Sequence, residues 1–152
     1  MKTYSAYLPQ IELKYKKGEA VKVKISSSKD IFELSKTLFN TDTIEINEEV
    51  LIIFLNRQNN TIGWIRHTSG GSVSSIIDVK LILSTALGCG AQSIIMLHNH
   101  PSGNNKPSDS DISISLKLKS ACQIMELNLL DSIIVAGDFE AYYSLADEGR
   151  LF

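Results

Sequence analysis

The apolar run Ser93-Ile94-Ile95-Met96-Leu97 leads straight into His98-Asn99-His100-Pro101, and this junction limits the fold more than any other stretch of the chain. A short apolar run of this kind reads as a buried strand. Residues i and i+2 of a strand point to the same side, so His98 and His100 aim at one point just past its end. Pro101 and Pro107 bracket Ser102-Gly103-Asn104-Asn105-Lys106 and stiffen the loop between them. Ser108 then opens what reads as a helix, and Asp111, three positions on, shares a face of its first turn. Two imidazoles and a carboxylate therefore converge from a strand and a helix. They make a three-ligand zinc set, His98, His100 and Asp111, with an open fourth position, which is the pattern of a catalytic site rather than a structural one.

The rest of the chain supplies a scaffold of alternating elements. Ile11, Leu13 and Tyr15, then Val21, Val23 and Ile25, alternate around Lys16-Lys17-Gly18-Glu19 and predict a β-hairpin. Its polar face carries Lys14, Lys16, Lys17, Lys22 and Lys24, which reads as a solvated surface, with an anionic partner as the alternative. Asp30 to Phe39 carries Ile31, Leu34 and Leu38 at helical spacing and reads as a helix capped by Ser28. Asn40 to Asn47 is a polar connector. The boundary is placed there: residues 1–40 are a hairpin-plus-helix extension and residues 41–152 the main domain.

Val50–Leu55 and Thr61–His67, joined through Asn56 to Asn60, predict a second hairpin. Asp78 is a good N-cap for a helix with Val79, Ile82, Leu83 and Ala86 on one face, ending at Gly88. Residues 111–118 alternate strictly, as a strand would. Ile114, Leu118, Ala121, Cys122 and Met125 fit a helix face instead, and Ser108, Asp109 and Asp111 are helix-start residues, so a helix is expected. Leu129–Ala136 reads as a strand, Gly137-Asp138 as a turn and Ala141–Leu145 as a last short strand.

Composition excludes several classes. A chain of 152 residues that is 43% apolar and 21% charged suits one soluble domain, with or without a small extension. Its net charge of −2 gives no global attraction to nucleic acid. No apolar run approaches the roughly 18 residues of a membrane span, and MKTYSAYLPQ lacks the apolar core of a signal peptide. Cys89 and Cys122 have no CxxC spacing; they read as small buried residues in a reducing cytoplasm, with a disulfide between them as the alternative.

An open metal site that hydrolyses needs a carboxylate to move protons. Glu48 and Glu49 stand at the mouth of the apolar strand Val50–Leu55. Adjacent strand residues face opposite sides, so only one of them can serve. Ser108 is an ordinary helix N-cap and also a candidate oxyanion donor. Asn99 is read as a contact for substrate backbone or as loop solvation, His67 as a surface residue, and Asp78 as a cap only.

The string His98-x-His100-Pro101 with Ser108-x-x-Asp111 resembles the JAMM signature of the JAB/MPN metalloproteases. The wider His98-Asn99-His100-Pro101-Ser102-Gly103, with Pro107-Ser108 and Asp111, is similar to RadC-type JAB domains. The likeness extends over about residues 40–152, through Glu48–Asn56, Leu130–Val135 and Ser144–Gly149. It implies an α/β three-layer domain in which helices flank a mixed sheet, the metal site lies at the end of a core strand, and a small N-terminal hairpin and helix precede it. It implies Zn²⁺ on His98, His100 and Asp111, Glu48 as the general base and acid, and Ser108 steadying the oxyanion. The spacing to Asn56 in the family-like strand favours Glu48 over Glu49. The implied activity is hydrolysis of a peptide or isopeptide bond in a peptide or protein substrate.

Two positions depart from the resemblance: Ser132 stands where a histidine is common, and Asp78-Val79-Lys80 where Pro-Arg is common. A DNA-repair or nucleic-acid-processing role and a non-catalytic scaffold are the competing readings. The acidic balance argues against the first and the intact ligand set against the second. A zinc deaminase would need His-x-Glu with Pro-Cys-x-x-Cys, and neither occurs.

Overall fold

The computed structural model describes residues 8–12, 21–69 and 77–152. The apolar runs without alternation lie inside the sheet. β1 (Glu49–Leu55) is buried along its whole length, and β3 (Ser93–His100) is buried up to its last residue. With β2 (Thr61–Ser69), β4 (Asn128–Ala136) and β5 (Tyr142–Ser144) they form a five-stranded sheet of order β2-β1-β3-β4-β5. β1 pairs antiparallel with both β2 and β3, and β4 pairs antiparallel with β5. β3 and β4 are parallel, so the chain must cross over between them. The crossover is α3 (Asp109–Ile124), and this connection sets the helix start beside the end of β3.

Strand alternation builds a layer on each side of the sheet. Val50, Ile52, Phe54, Ile94, Met96 and Ile134 face α2 (Val79–Gly88) and α3, meeting Ile82, Ala86, Ile114, Leu118 and Cys122. Leu51, Ile53, Leu55, Ile95, Leu97, Ile133 and Val135 face the other way, onto Ile31 and Phe32 of α1 (Ser28–Leu38), Phe39 and Ile44. The three-layer α/β architecture with a mixed sheet is the expected one.

The alternation of residues 111–118 gives way to the helix. Ile114, Leu118 and Cys122 are buried at four-residue spacing, while Leu116 from the same alternating run is exposed. Two details differ from the sequence reading. The α1 cap is Ser27, not Ser28: Ser27 Oγ accepts from the Asp30 amide while the Asp30 carboxylate accepts from the Ser27 amide. Any of three successive serines could cap, and the reciprocal box with Asp30 selects the first of a Ser-x-x-Asp spacing. Ser28 is helical, and its hydroxyl donates to Asp147. In addition, β3 does not end at Leu97. Its pairing with β4 continues to His100 opposite Ala136, so both histidines belong to the strand.

Of the N-terminal hairpin predicted over residues 11–25, residues 13–20 lie outside the described residues, residues 11 and 12 carry no strand, and residues 21–25 form only an isolated antiparallel bridge of Lys24 with Asn60. Residues 23–25 lie beside the start of β2, where the Ile25 amide donates to Asn59 O and the Thr61 amide to Val23 O, both at 2.9 Å. No helix among the described residues is long and apolar enough to cross a membrane.

Asp131 in β4 is buried beneath the segment that follows β5. Its carboxylate accepts from the Ser144 hydroxyl at 2.6 Å and from the amides of Ser132 at 2.7 Å and Ala146 at 3.1 Å. Burial pushes this carboxyl above its ordinary pKa, with the Asp147 charge adding to the shift and the hydrogen bonds opposing it. The folded chain thus holds this proton more tightly than the unfolded chain. The resulting stabilisation is complete below the unfolded carboxylate range and is lost as pH rises through the folded value. In urea unfolding, the wild type should gain stability relative to Asp131→Asn as pH is lowered from 7 to about 4. A difference that stays constant over that range would contradict the assignment.

Candidate metal centre

The site forms where the carboxyl end of β3 meets the amino end of α3. His98 and His100 leave β3 on the α3 side; His98 is fully buried and His100 partly so. Ser108 caps α3, and Asp111 completes a capping box. Ser108 Oγ accepts the Asp111 amide at 3.1 Å, and Asp111 Oδ2 accepts the Ser108 amide at 2.8 Å. That box holds the Asp111 carboxylate against both imidazoles. Its Oδ1 is 3.4 Å from His98 Nε2, its Oδ2 is 3.3 Å from His100 Nε2, and the two Nε2 atoms are 3.2 Å apart. A tetrahedral zinc with ligands about 2.0–2.1 Å away sets those ligands about 3.3–3.4 Å from one another. The Nε2–Nε2 separation matches such an edge, and each imidazole lies at about that distance from one oxygen of Asp111, Oδ1 for His98 and Oδ2 for His100.

Protonation states agree with that fit. His100 Nδ1 lies 2.6 Å from the Asn104 carbonyl. A carbonyl only accepts, so Nδ1 carries a proton, and Nε2 either donates its own proton to Asp111 when the ring is charged or turns a lone pair into the site when the ring is neutral. His98 Nδ1 is buried with no hydrogen-bond partner among the described residues, so the polar company of this ring is all at Nε2. A single proton there can serve only one of the neighbours it faces, whereas a cation serves them together. The hydrogen bond to Asp111 is the chief cause raising the His100 pKa, against burial, with the Asn104 carbonyl and Glu48 adding to it. Burial would raise Asp111, but hydrogen bonds from His100, His98 and the Ser108 amide hold it well below the usual carboxylate range. The pocket is built to hold positive charge.

Glu48 joins this cluster and Glu49 does not. Glu48, His98 and His100 each offer a ligand atom, all within 4.8 Å of one another. Glu48 Oε1 is 3.9 Å from His100 Nε2, longer than the 3.3 Å from that nitrogen to Asp111 Oδ2, so the Asp111 carboxylate lies nearer His100 than Glu48 does. Glu49 points through the opposite face, where its carboxylate is buried against Arg66 Nε at 3.0 Å. Strand parity makes the choice: Val50, Ile52 and Phe54 share the α3 face, and Glu48 continues their series.

Several neighbours of the site were not legible as such. Asn99, read as a substrate or solvent contact, is completely buried on the face opposite the histidines and bonds only main chain. The alternation that pairs His98 with His100 already turns Asn99 away from them. His67 is half-buried rather than on the surface, and its Nε2 accepts the Asp78 amide at 2.9 Å, tying β2 to the start of α2. Asp78 caps α2 as expected, accepting the Leu81 amide at 3.0 Å. Ser132 is buried, and its hydroxyl lies 2.8 Å from that of Ser115, which donates to Asp111 O at 2.7 Å. Cys89 and Cys122 are free thiols, and burial pushes the Cys122 thiol up to about 11.

Gly137 fastens the loop after His100. The amides of Gly103 and Gly137 both donate to His100 O at 3.0 Å. A Cβ at position 137 would lie 2.9 Å from Pro101 O and 3.2 Å from both His100 O and Pro101 Cα.

The comparisons agree with this architecture. The profile for the RadC-like JAB domain matches residues 25–150, and the chain belongs to that family. A UPF0758 protein of Flavobacterium johnsoniae is 37% identical over 126 residues, covering 83% of this chain and 53% of the relative. UPF0758 proteins of Coprothermobacter proteolyticus (33% over 141 residues, 91% of this chain and 59% of the relative) and Porphyromonas gingivalis (38% over 104 residues, 68% and 45%) are also similar. The chain spans about half the length of these relatives.

Gly137→Ala must displace backbone that carries a site histidine, and should cost about 1–3 kcal/mol in urea unfolding, the range for overpacking. Gly63→Ala, where nothing lies within 4 Å of the added carbon, should be neutral or stabilising. Equal effects of the two substitutions would refute the contact argument.

Proposed function

We propose that this chain is a zinc-dependent hydrolase of the JAMM type that cleaves a peptide or isopeptide amide bond. The observation that supports the reading is the convergence of His98 Nε2, His100 Nε2 and the two oxygens of the Asp111 carboxylate at 3.2–3.4 Å contacts, with Glu48 Oε1 3.9 Å from His100 Nε2. Zinc held there would polarise the scissile carbonyl and acidify water to a pKa of about 7. His98 and His100 would hold the ion through Nε2 and Asp111 through its carboxylate. The Ser108 amide and the Asn104 carbonyl fix the orientation of Asp111 and His100. Glu48 takes the proton of the attacking water and delivers it to the departing amine. Ser108 is exposed at the helix start, where its hydroxyl steadies the developing oxyanion while its oxygen still caps the helix. A peptide or protein is the substrate, and the free thiols suit a reducing cytoplasm.

Purified protein should carry about one zinc per chain by elemental analysis, with occupancy lost in His98→Ala and Asp111→Ala. Glu48→Gln should keep the metal and slow amide hydrolysis by about a hundredfold or more, the scale of general acid–base catalysis. Glu49→Gln should act on stability through its Arg66 partner and leave the rate alone. Full zinc occupancy in a His98→Ala, His100→Ala double variant would sink the ligand assignment. Metal-dependent cutting of DNA that disappears in Asp111→Ala would replace the peptidase reading with a nuclease.

A further inference from the structure

Asn99 lies between the two site histidines in sequence and on the far side of the sheet from them. It is fully buried, and its side chain is spent entirely on main chain. Oδ1 accepts the Glu49 amide at 2.7 Å, while Nδ2 donates to the carbonyls of Asn47 at 2.8 Å and Ile44 at 2.7 Å. The Asn47 carbonyl belongs to the peptide unit before Glu48, and the Glu49 amide to the unit after it. One side chain thus grips the backbone on both sides of Glu48.

The strand register explains why a side chain is needed there. Pairing of β1 with β3 runs from Leu55 opposite Ser93 to Val50 opposite His98, and β1 itself begins at Glu49. Extending the register one more step on the same face would set Glu48 opposite His100. Residues 41–47 are turns, so the ladder does not fix Glu48 from that side. The Asn99 amide supplies the missing bonds. Aspartate would lose both donors and set a charge against two carbonyls, and an apolar residue would leave three buried main-chain groups without partners.

We propose that Asn99 is the positioning residue for Glu48: by clasping the peptide units on either side, it holds the carboxylate at its place beside His100. Its consequence for catalysis rests on the hydrolase reading above; its consequence for the backbone does not.

The test compares the zinc-loaded full chain with Asn99→Ala and Asn99→Asp by amide hydrogen exchange, by zinc affinity against a chromophoric chelator, and by hydrolysis of fluorogenic peptide amides. Amides of residues 44–49 should exchange about tenfold faster or more, while those of β3 and α3 hold, because the clasp is a local contact. Zinc affinity should stay within about threefold, since the ligands stand on β3 and α3. With a cleaved peptide, kcat should fall about tenfold or more at little change in KM, and the substitution should add nothing in a Glu48→Gln background. Unchanged exchange at 44–49, or loosening spread equally over β3, would overturn the proposal, as would a full additional loss of rate in the Glu48→Gln background. If Asn99→Ala fails to fold, Asn99→Asp, which keeps the Glu49 contact, decides on the same readouts. Failure of the hydrolase reading would appear separately, as a wild type that cleaves no amide, and the exchange result would still decide whether Asn99 holds the Glu48 segment.

Discussion

Val50 stands opposite His98 in the β1–β3 ladder, and the chemistry of the molecule is arranged around that pairing. Side chains alternate along a strand, so one register assigns every residue of both strands to a face. The face that carries His98 and His100 also receives Glu48, while Glu49 and Asn99 go to the other. A slip by one residue would exchange these sets, bringing Glu49 to the imidazoles and burying Glu48 beside Arg66. On both faces of β1 and β3 the side chains beneath the site are fully or almost fully buried, and each face packs on its own helical layer.

The parallel pairing of β3 with β4 has a second effect. It requires a crossover, and the helix that provides it begins where β3 ends. Asp111 occupies the third position of that helix, where a carboxylate already belongs for reasons of capping and of the helix dipole. The bonds that secure the helix end are thus the bonds that aim the carboxylate at the histidines. His100 is secured in a similar way from the other side, by the Asn104 carbonyl on Nδ1 and by the amides of Gly103 and Gly137 on its own carbonyl. The arrangement of His98, His100 and Asp111 therefore arises from contacts that also stabilise the fold.

Much of this was legible in the chain. The histidine pair at a strand end, the Ser108–Asp111 helix start, the hairpin around residues 56–60 and the capping by Asp78 all rest on local periodicity and spacing, which act within a few residues. The illegible parts are those settled by competition or over distance. Three successive serines compete to cap α1, and the contact with Asp30 decides for Ser27. Asn99 looks like a loop residue until β1 is laid beside it and the Asn47 and Glu49 peptides come within its reach. Arg66 is an ordinary charged residue of a hairpin until pairing sets it against Glu49.

The sequence by itself determined the identity of the site: two imidazoles at i and i+2 on a strand, a carboxylate three residues past a helix cap, and no second ligand cluster of that kind. Such features follow from backbone geometry common to all strands and helices. The family resemblance already favoured Glu48 over Glu49, but only the tertiary structure set Glu48 beside His98 and His100 and Glu49 against Arg66, laid Asn99 on the peptides around Glu48, and left no room for a side chain at Gly137. Each of these depends on a neighbour distant in the chain, brought close by strand pairing whose register no local pattern contains.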